Sequence, residues 1–126
     1  SNNPIYYIQY AHARISTLIK NAETLGIYIN KTDDFKIETQ KEISLSKMLL
    51  EFPDVITQIS KELEPHHITK YTLDLASEFH SFYQSEKIID QDNLDNTISK
   101  LILCKAIQKI LKKSLEIMMI SAPENM

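Results

Sequence analysis

The stretch IYYIQYAHARI, residues 5–15, brings aromatic and cationic side chains close together. It holds three of the six tyrosines and the only arginine of the chain. At ~100° of rotation per helical residue, Tyr7, Tyr10 and Arg14 fall on one face, beside an apolar stripe. Tyrosine rings and a guanidinium plane stack on unpaired RNA bases and form hydrogen bonds with base edges. Packing of the tyrosines on a neighbouring helix, with Arg14 capping a helix or pairing with a glutamate, fits the spacing equally well.

A row of lysines runs along the predicted solvent side of the last helix. It consists of Lys105, Lys109, Lys112 and Lys113, and Lys100, one turn earlier, extends it. A solvated helix face is the commoner meaning of such a row. The functional alternative is a ridge that neutralises the phosphates of a nucleic-acid backbone, and its candidate contacts are Lys105, Lys109 and Lys112.

Other residues that could perform catalysis or bind a metal lack suitable partners. His66 and His67 are adjacent, so they point ~100° apart on a helix. His12 and His80 have no carboxylate or cysteine at ligand spacing, and we expect them at the surface or in caps. The only cysteine, Cys104, lies in an apolar segment, which predicts a buried, inert thiol and a reducing compartment. No catalytic centre, metal site or cofactor is predicted in this chain.

Composition limits the classes of fold and partner. A length of 126 residues predicts one domain with one core, and one glycine with four prolines argues against an all-β fold. The formal net charge of −3 means that any polyanion must be bound by a local patch. No apolar run reaches the ~18 residues of a membrane span. Because the chain begins without methionine at an apparent helix start, we expect a fragment of a longer protein.

Helical periodicity predicts an all-α bundle of about five helices that positions these side chains. The first helix begins at Asn3-Pro4 and ends near Gly26, and a polar loop follows over residues 27–40. A break at Phe52-Pro53 separates two short helices. The remaining predicted helices cover residues 42–51, 54–63, 65–85 and a final long segment after the turn at 90–95. The predicted inward positions include Ile8, Ala11, Ile15, Leu18, Ile19, Ala22, Leu50, Phe79, Phe82 and Leu94.

The segment NPIYYIQYAHARI, residues 3–15, resembles the opening of the C-terminal anticodon-binding (DALR) domain of arginyl-tRNA synthetases. Further stretches agree with that domain in the same order: EFPDV at 51–55, LEPH at 63–66, FHSFY at 79–83 and APENM at 122–126. The resemblance covers residues 2–126. It implies that residues 1–126 are one helical bundle of the class I aminoacyl-tRNA synthetase anticodon-binding type, cut from the C-terminus of a longer enzyme.

The same resemblance implies roles for particular residues and for the parent protein. The anticodon-binding residues would be Tyr7, Tyr10, Arg14, Tyr83 and the C-terminal Met126. The parent would be an arginine–tRNA ligase that uses ATP in its catalytic domain, with tRNA and that domain as partners, and we expect a cytoplasmic monomer without a membrane segment. The ATP signatures "HIGH" and "KMSK" are absent, so we expect no adenylation chemistry in this fragment.

Two alternatives remain open at this point. One is the anticodon-binding domain of another class I synthetase, although the wording YIQYAHARI favours the arginine enzyme. The other is a helical protein-interaction bundle without RNA binding, in which Tyr7, Tyr10 and Arg14 contact another domain.

Overall fold

The computed structural model describes the backbone of residues 3–62 and 66–118, with the side chains of all but 60–62. These residues form four α-helices: α1 Pro4–Thr24, α2 Gln40–Glu62, α3 His66–Ser85 and α4 Leu94–Ile117. Within them, α3 and α4 pack together and each contacts both α1 and α2, whereas α1 and α2 do not meet. The all-α prediction is confirmed, and α1 and α2 lie on opposite sides of the α3–α4 pair. No helix of the described ranges is long and apolar enough to cross a membrane.

Local sequence determines both ends of α1. The Asn3 side chain accepts hydrogen bonds from two backbone N–H groups at 3.0 and 3.3 Å, and Pro4 occupies the first turn, where its missing N–H costs nothing. At the other end, Gly26 adopts a left-handed φ of 80°. The Ile27 N–H then reaches back to the Ala22 carbonyl at 2.9 Å, as in a Schellman motif. Both predicted ends are therefore confirmed.

The predicted break at Phe52-Pro53 is wrong, because α2 continues through Pro53. Proline removes the N–H that would pair with the Leu49 carbonyl, at a cost of about 3 kcal/mol inside a helix. Packing against α3 offsets this cost: the rings of Phe52 and Tyr71 lie 6.0 Å apart, and the Tyr71 hydroxyl donates to the neighbouring Met48 carbonyl at 2.6 Å. Two predicted short helices are thus one long helix, so the described chain has four helices and not five.

A buried ion cluster joins α2 and α4 to the residue that follows α3. Lys100 Nζ lies 2.7 Å from Glu86 Oε1 and 3.4 Å from Glu42 Oε2. Burial opposes the charge on Lys100, but the hydrogen bond and charge of Glu86, together with Glu42, outweigh it and raise the pKa of Lys100. With only 5% of its side chain exposed, Lys100 does not belong to the solvent-facing lysine row, and that part of the prediction is wrong.

The core forms where the apolar stripes of the helices meet. The predicted stripe of α1 is confirmed, with Ile19 half-buried and the other members buried, as are Phe79 and Phe82 in α3. Leu50 and Leu94 are exceptions, because 79% and 49% of their surfaces are exposed. Cys104 is buried as predicted, and burial raises the pKa of its thiol to about 12.

Candidate functional site

Two helices supply the residues of one surface, which we call the aromatic–arginine face. Tyr7, Tyr10 and Arg14 project from α1, where spacings of three and four residues place them on one side. His80 and Tyr83 project from the adjoining side of α3, three residues apart. The structure therefore brings together the four predicted anticodon-binding residues that it describes. Met126, the fifth, lies outside the described residues.

Arg14 is the centre of this face. Its Cζ atom lies 4.0 Å from the centroid of the Tyr83 ring and 4.8 Å from that of Tyr10. Nη2 donates a hydrogen bond to the Tyr10 hydroxyl at 2.7 Å, and Nη1 lies 3.2 Å from His80 Nδ1. An arginine side chain keeps its protons in proteins, so Nδ1 must be the acceptor. His80 is therefore neutral here, with its proton on Nε2.

His80 lies behind the tyrosines, where it forms the back of the face. Its ring centroid is 4.9 Å from that of Tyr7, 5.3 Å from that of Tyr10 and 5.5 Å from that of Phe79, and only 7% of the residue is exposed. Burial, assisted by the charge of Arg14 and opposed by the Tyr7 backbone, lowers the pKa of His80 to about 4. The imidazole is thus neutral at pH 7.

The expectation that His12 and His80 are surface or capping residues is wrong, because both are buried. For His80, a signal was present in the sequence. It precedes Tyr83 by three residues, which places both side chains on the same face of a helix. His80, which contacts Arg14 from α3, is thus part of the FHSFY stretch that had already been singled out for Tyr83.

The tyrosines of the face are neither fully buried nor fully open. Tyr7, Tyr10 and Tyr83 expose 37%, 39% and 36% of their surfaces. Each ring packs on its inner side and leaves the rest accessible to a ligand. A shallow groove of about 260 Å³ runs along this surface past Arg14 and Asn21. The face can thus offer ring surfaces and a guanidinium to the same ligand.

The lysines predicted as phosphate contacts lie elsewhere. Lys105, Lys109 and Lys112 are exposed, and with Lys20 they line a groove of about 430 Å³ between α1 and α4. We call it the lysine groove. On its α1 side lies Ser16, ~200° around the helix from Arg14. The structure therefore places the two predicted surfaces on opposite sides of α1.

Two hydrogen bonds fix the floor of the lysine groove. Gln108 Nε2 donates to Ser16 Oγ at 2.6 Å and to the His12 carbonyl at 3.2 Å. These bonds hold α4 against α1. As for metals, the described ranges contain no group of three or more His, Cys, Asp or Glu residues arranged to hold an ion.

Comparison with known proteins gives consistent results. The family model described as "DALR anticodon binding domain" matches residues 8–126. The arginine–tRNA ligase of Geobacillus kaustophilus is 44% identical over 130 residues, and that of Listeria monocytogenes serotype 4b is 42% identical over 127. Each match covers 100% of this chain but 23% of the relative. The chain is thus much shorter than the curated relatives it matches.

Solved structures that share the fold include two synthetases. The arginyl-tRNA synthetase of Thermus thermophilus superposes with a TM-score of 0.80 at 27% identity, over 95% of this chain and 21% of that one. A putative arginyl-tRNA synthetase from Campylobacter jejuni gives 0.80 at 28% identity, over 98% of this chain and 27% of that one.

Proposed function

This chain belongs to the DALR anticodon-binding domain family, and from that premise we propose that it binds the anticodon loop of a tRNA as part of an arginine–tRNA ligase. The observation that carries the proposal is the position of Arg14. Its guanidinium lies over the Tyr83 ring at 4.0 Å on a half-exposed surface, flanked by partly exposed tyrosines. Such a surface suits splayed, unstacked bases, which single-stranded RNA loops provide.

The chemistry of the face fits base recognition better than phosphate binding alone. A guanidinium has five N–H donors, and the hydrogen bonds to His80 and Tyr10 occupy two of them. The other donors suit base edges or phosphate oxygens, while the tyrosine rings suit stacking, worth about 1–3 kcal/mol per base. Lysine lacks the planar fork of arginine, which explains why this position requires the only arginine of the chain.

The parent enzyme, in this proposal, attaches arginine to its tRNA with ATP in a separate catalytic domain. This chain supplies no reacting group and instead holds the tRNA far from the chemistry. Its partners are then the tRNA and the catalytic domain of the same polypeptide, in a cytoplasmic, monomeric enzyme. The family membership and the relatives' names support the ligase activity, the tRNA partner and the link to a catalytic domain.

Two further groups of residues complete the proposed contacts. Met126 would place its terminal carboxylate near the same anticodon pocket. Lys105, Lys109 and Lys112 would contact phosphates, and their shared groove adds Lys20 to that set. Because the lysine groove lies on the other side of α1, its phosphates must be remote from the bases that meet Arg14.

Substitution of Arg14 by alanine in the full-length parent tests the proposal. We expect binding of arginine tRNA to weaken by about 1–3 kcal/mol, as for other base-contacting arginines, while the melting temperature changes little. A filter-binding titration measures the affinity, and Lys47→Ala on the exposed side of α2 is the matched control. Equal affinities of Arg14→Ala and wild type would remove Arg14 from the site and favour a protein-interaction surface.

A further inference from the structure

We propose that His80 is a positioning residue for RNA binding: it holds the Arg14 guanidinium in the orientation in which Arg14 meets the bases. The inference rests on the proposed function and deepens it. It assigns a role to a buried residue of α3 that need not touch the RNA.

The identity of the acceptor matters. Nη1 of Arg14 needs a hydrogen-bond acceptor on α3, and His80 Nδ1 provides one at 3.2 Å. A carboxylate at this position would also accept, but it would neutralise the positive charge that attracts RNA. A neutral imidazole accepts the hydrogen bond and leaves the full charge on Arg14. Histidine therefore combines orientation of the guanidinium with retention of its charge.

Three contacts together restrict the guanidinium plane. The hydrogen bonds to His80 and to the Tyr10 hydroxyl hold the two Nη atoms, and the Tyr83 ring lies against the group at 4.0 Å. His80 and Tyr83 come from the same helix, three residues apart, so α3 sets the acceptor and the ring in a constant relation. Since arginine has a long, flexible side chain, ordering it before the RNA arrives lowers the entropic cost of binding.

His80 is itself held in place. Its ring packs against Tyr7, Tyr10 and Phe79 with centroid distances from 4.9 to 5.5 Å, and it is nearly inaccessible to solvent. It therefore supports the inner side of two of the tyrosines while its Nδ1 binds Arg14. A test must separate this packing from the hydrogen bond.

The matched substitutions His80→Asn and His80→Leu make that separation in the full-length parent. The two side chains have nearly the same shape, but only asparagine offers an oxygen close to the position of Nδ1. We expect His80→Leu to weaken tRNA binding about five- to tenfold, the effect of disordering one long side chain. His80→Asn should recover most of the loss and stay within about threefold of wild type.

The double variants Arg14→Ala/His80→Leu and Arg14→Ala/His80→Asn give the decisive measurement. If His80 acts through Arg14, the difference in affinity between His80→Leu and His80→Asn disappears once Arg14 is alanine, because only the packing of His80 on the tyrosines then remains to be lost. An equal effect of His80→Leu in both backgrounds, or equal affinities of His80→Leu and His80→Asn, would overturn the positioning role. If the leucine variant does not fold, His80→Phe, which keeps an aromatic ring but has no acceptor, replaces it in the same comparison.

The two proposals fail in different ways. If Arg14→Ala binds tRNA as well as wild type, the proposed function is wrong. If Arg14→Ala weakens binding but His80→Leu does not, only the role of His80 is wrong.

Discussion

Two adjacent rings of α3 lie beside cations in contrasting environments. Tyr83 lies 4.0 Å from the guanidinium carbon of Arg14 at the surface, and Phe82 lies 5.5 Å from Nζ of Lys100 in the interior. Lys100 is paired with two carboxylates in the ion cluster. Arg14 is bound by a neutral imidazole and a hydroxyl, and among the described residues no carboxylate pairs with it. One positive charge is thus neutralised inside the fold, whereas the other has no carboxylate partner among the described residues.

The contrast shows how the surroundings of a charge determine its use. A buried ammonium is tolerated only with paired carboxylates, so Lys100 serves the fold. A half-exposed guanidinium on an aromatic ring keeps its solvation and its charge, so Arg14 can serve binding. In a chain with a net charge of −3, such a local positive group is what an anionic partner would meet.

The largest expected effect comes from breaking the ion cluster. Lys100→Met leaves Glu42, which is 1% exposed, without its cation, and we expect a loss of about 3–5 kcal/mol in the free energy of unfolding. Urea denaturation measures it, with the exposed Lys105→Met as the control, for which we expect a change of at most ~0.5 kcal/mol. A loss below about 1 kcal/mol for Lys100→Met would show that the two cations do not differ as described.

Acid should lower the free energy of unfolding through protonation of His80 in the aromatic–arginine face. Its pKa is lowered from 6.5 to about 4, so the unfolded chain binds the proton more readily between these values. The contribution of His80 to the free energy of unfolding is therefore fully present above pH 6.5. It falls by at most about 3 kcal/mol as the pH drops to 4. Denaturation at pH 7 and pH 4.5 should show a larger loss for wild type than for His80→Asn. Equal losses would mean that His80 is not held neutral.

Arg14→Lys tests whether charge alone is sufficient at the surface. Lysine keeps the positive charge but lacks the planar fork that reaches both His80 and Tyr10. We expect tRNA binding to weaken by about 1–2 kcal/mol, with stability changed by less than ~1 kcal/mol. Unchanged affinity would reduce the role of Arg14 to a point charge, like that of a surface lysine.

The smallest effect is expected in the lysine groove. Lys109→Ala should lower the slope of log affinity against log salt by about one unit and leave stability unchanged. Titrations of tRNA binding at several salt concentrations measure the slope, with Lys47→Ala as the matched control. A slope equal to that of wild type would mean that Lys109 lies on a merely solvated face.

Local patterns predicted much of the fold. The cap at Asn3, the end at Gly26 and the apolar stripe containing Ile8 and Ile15 are confirmed, because they depend on residues within a few positions of one another. The predictions that were wrong depend instead on contacts between residues far apart in the sequence. Pro53 lies within α2 because α2 packs along α3 through Phe52 and Met48, and these long-range contacts outweigh a local breaking signal.

The same distinction applies to the candidate site. Helical spacing alone set Tyr7, Tyr10 and Arg14 on one face, and the resemblance to a known family added Tyr83. Spacing could not show that His80, 66 positions after Arg14, provides the acceptor for its guanidinium. Helical spacing also grouped Lys100 with the exposed lysines, because its partners Glu42 and Glu86 are distant in sequence and spacing within one helix cannot reveal them.

The sequence by itself determined where α1 begins and ends and which of its side chains share a face, because these depend on hydrogen bonds and rotations within a few residues. The tertiary structure decided which faces meet. It buried Lys100 between two carboxylates and left Arg14 half-exposed against a neutral histidine. Those pairings depend on how α1 and α2 pack on α3 and α4, and the free energy of a charge depends on its neighbours and its access to water.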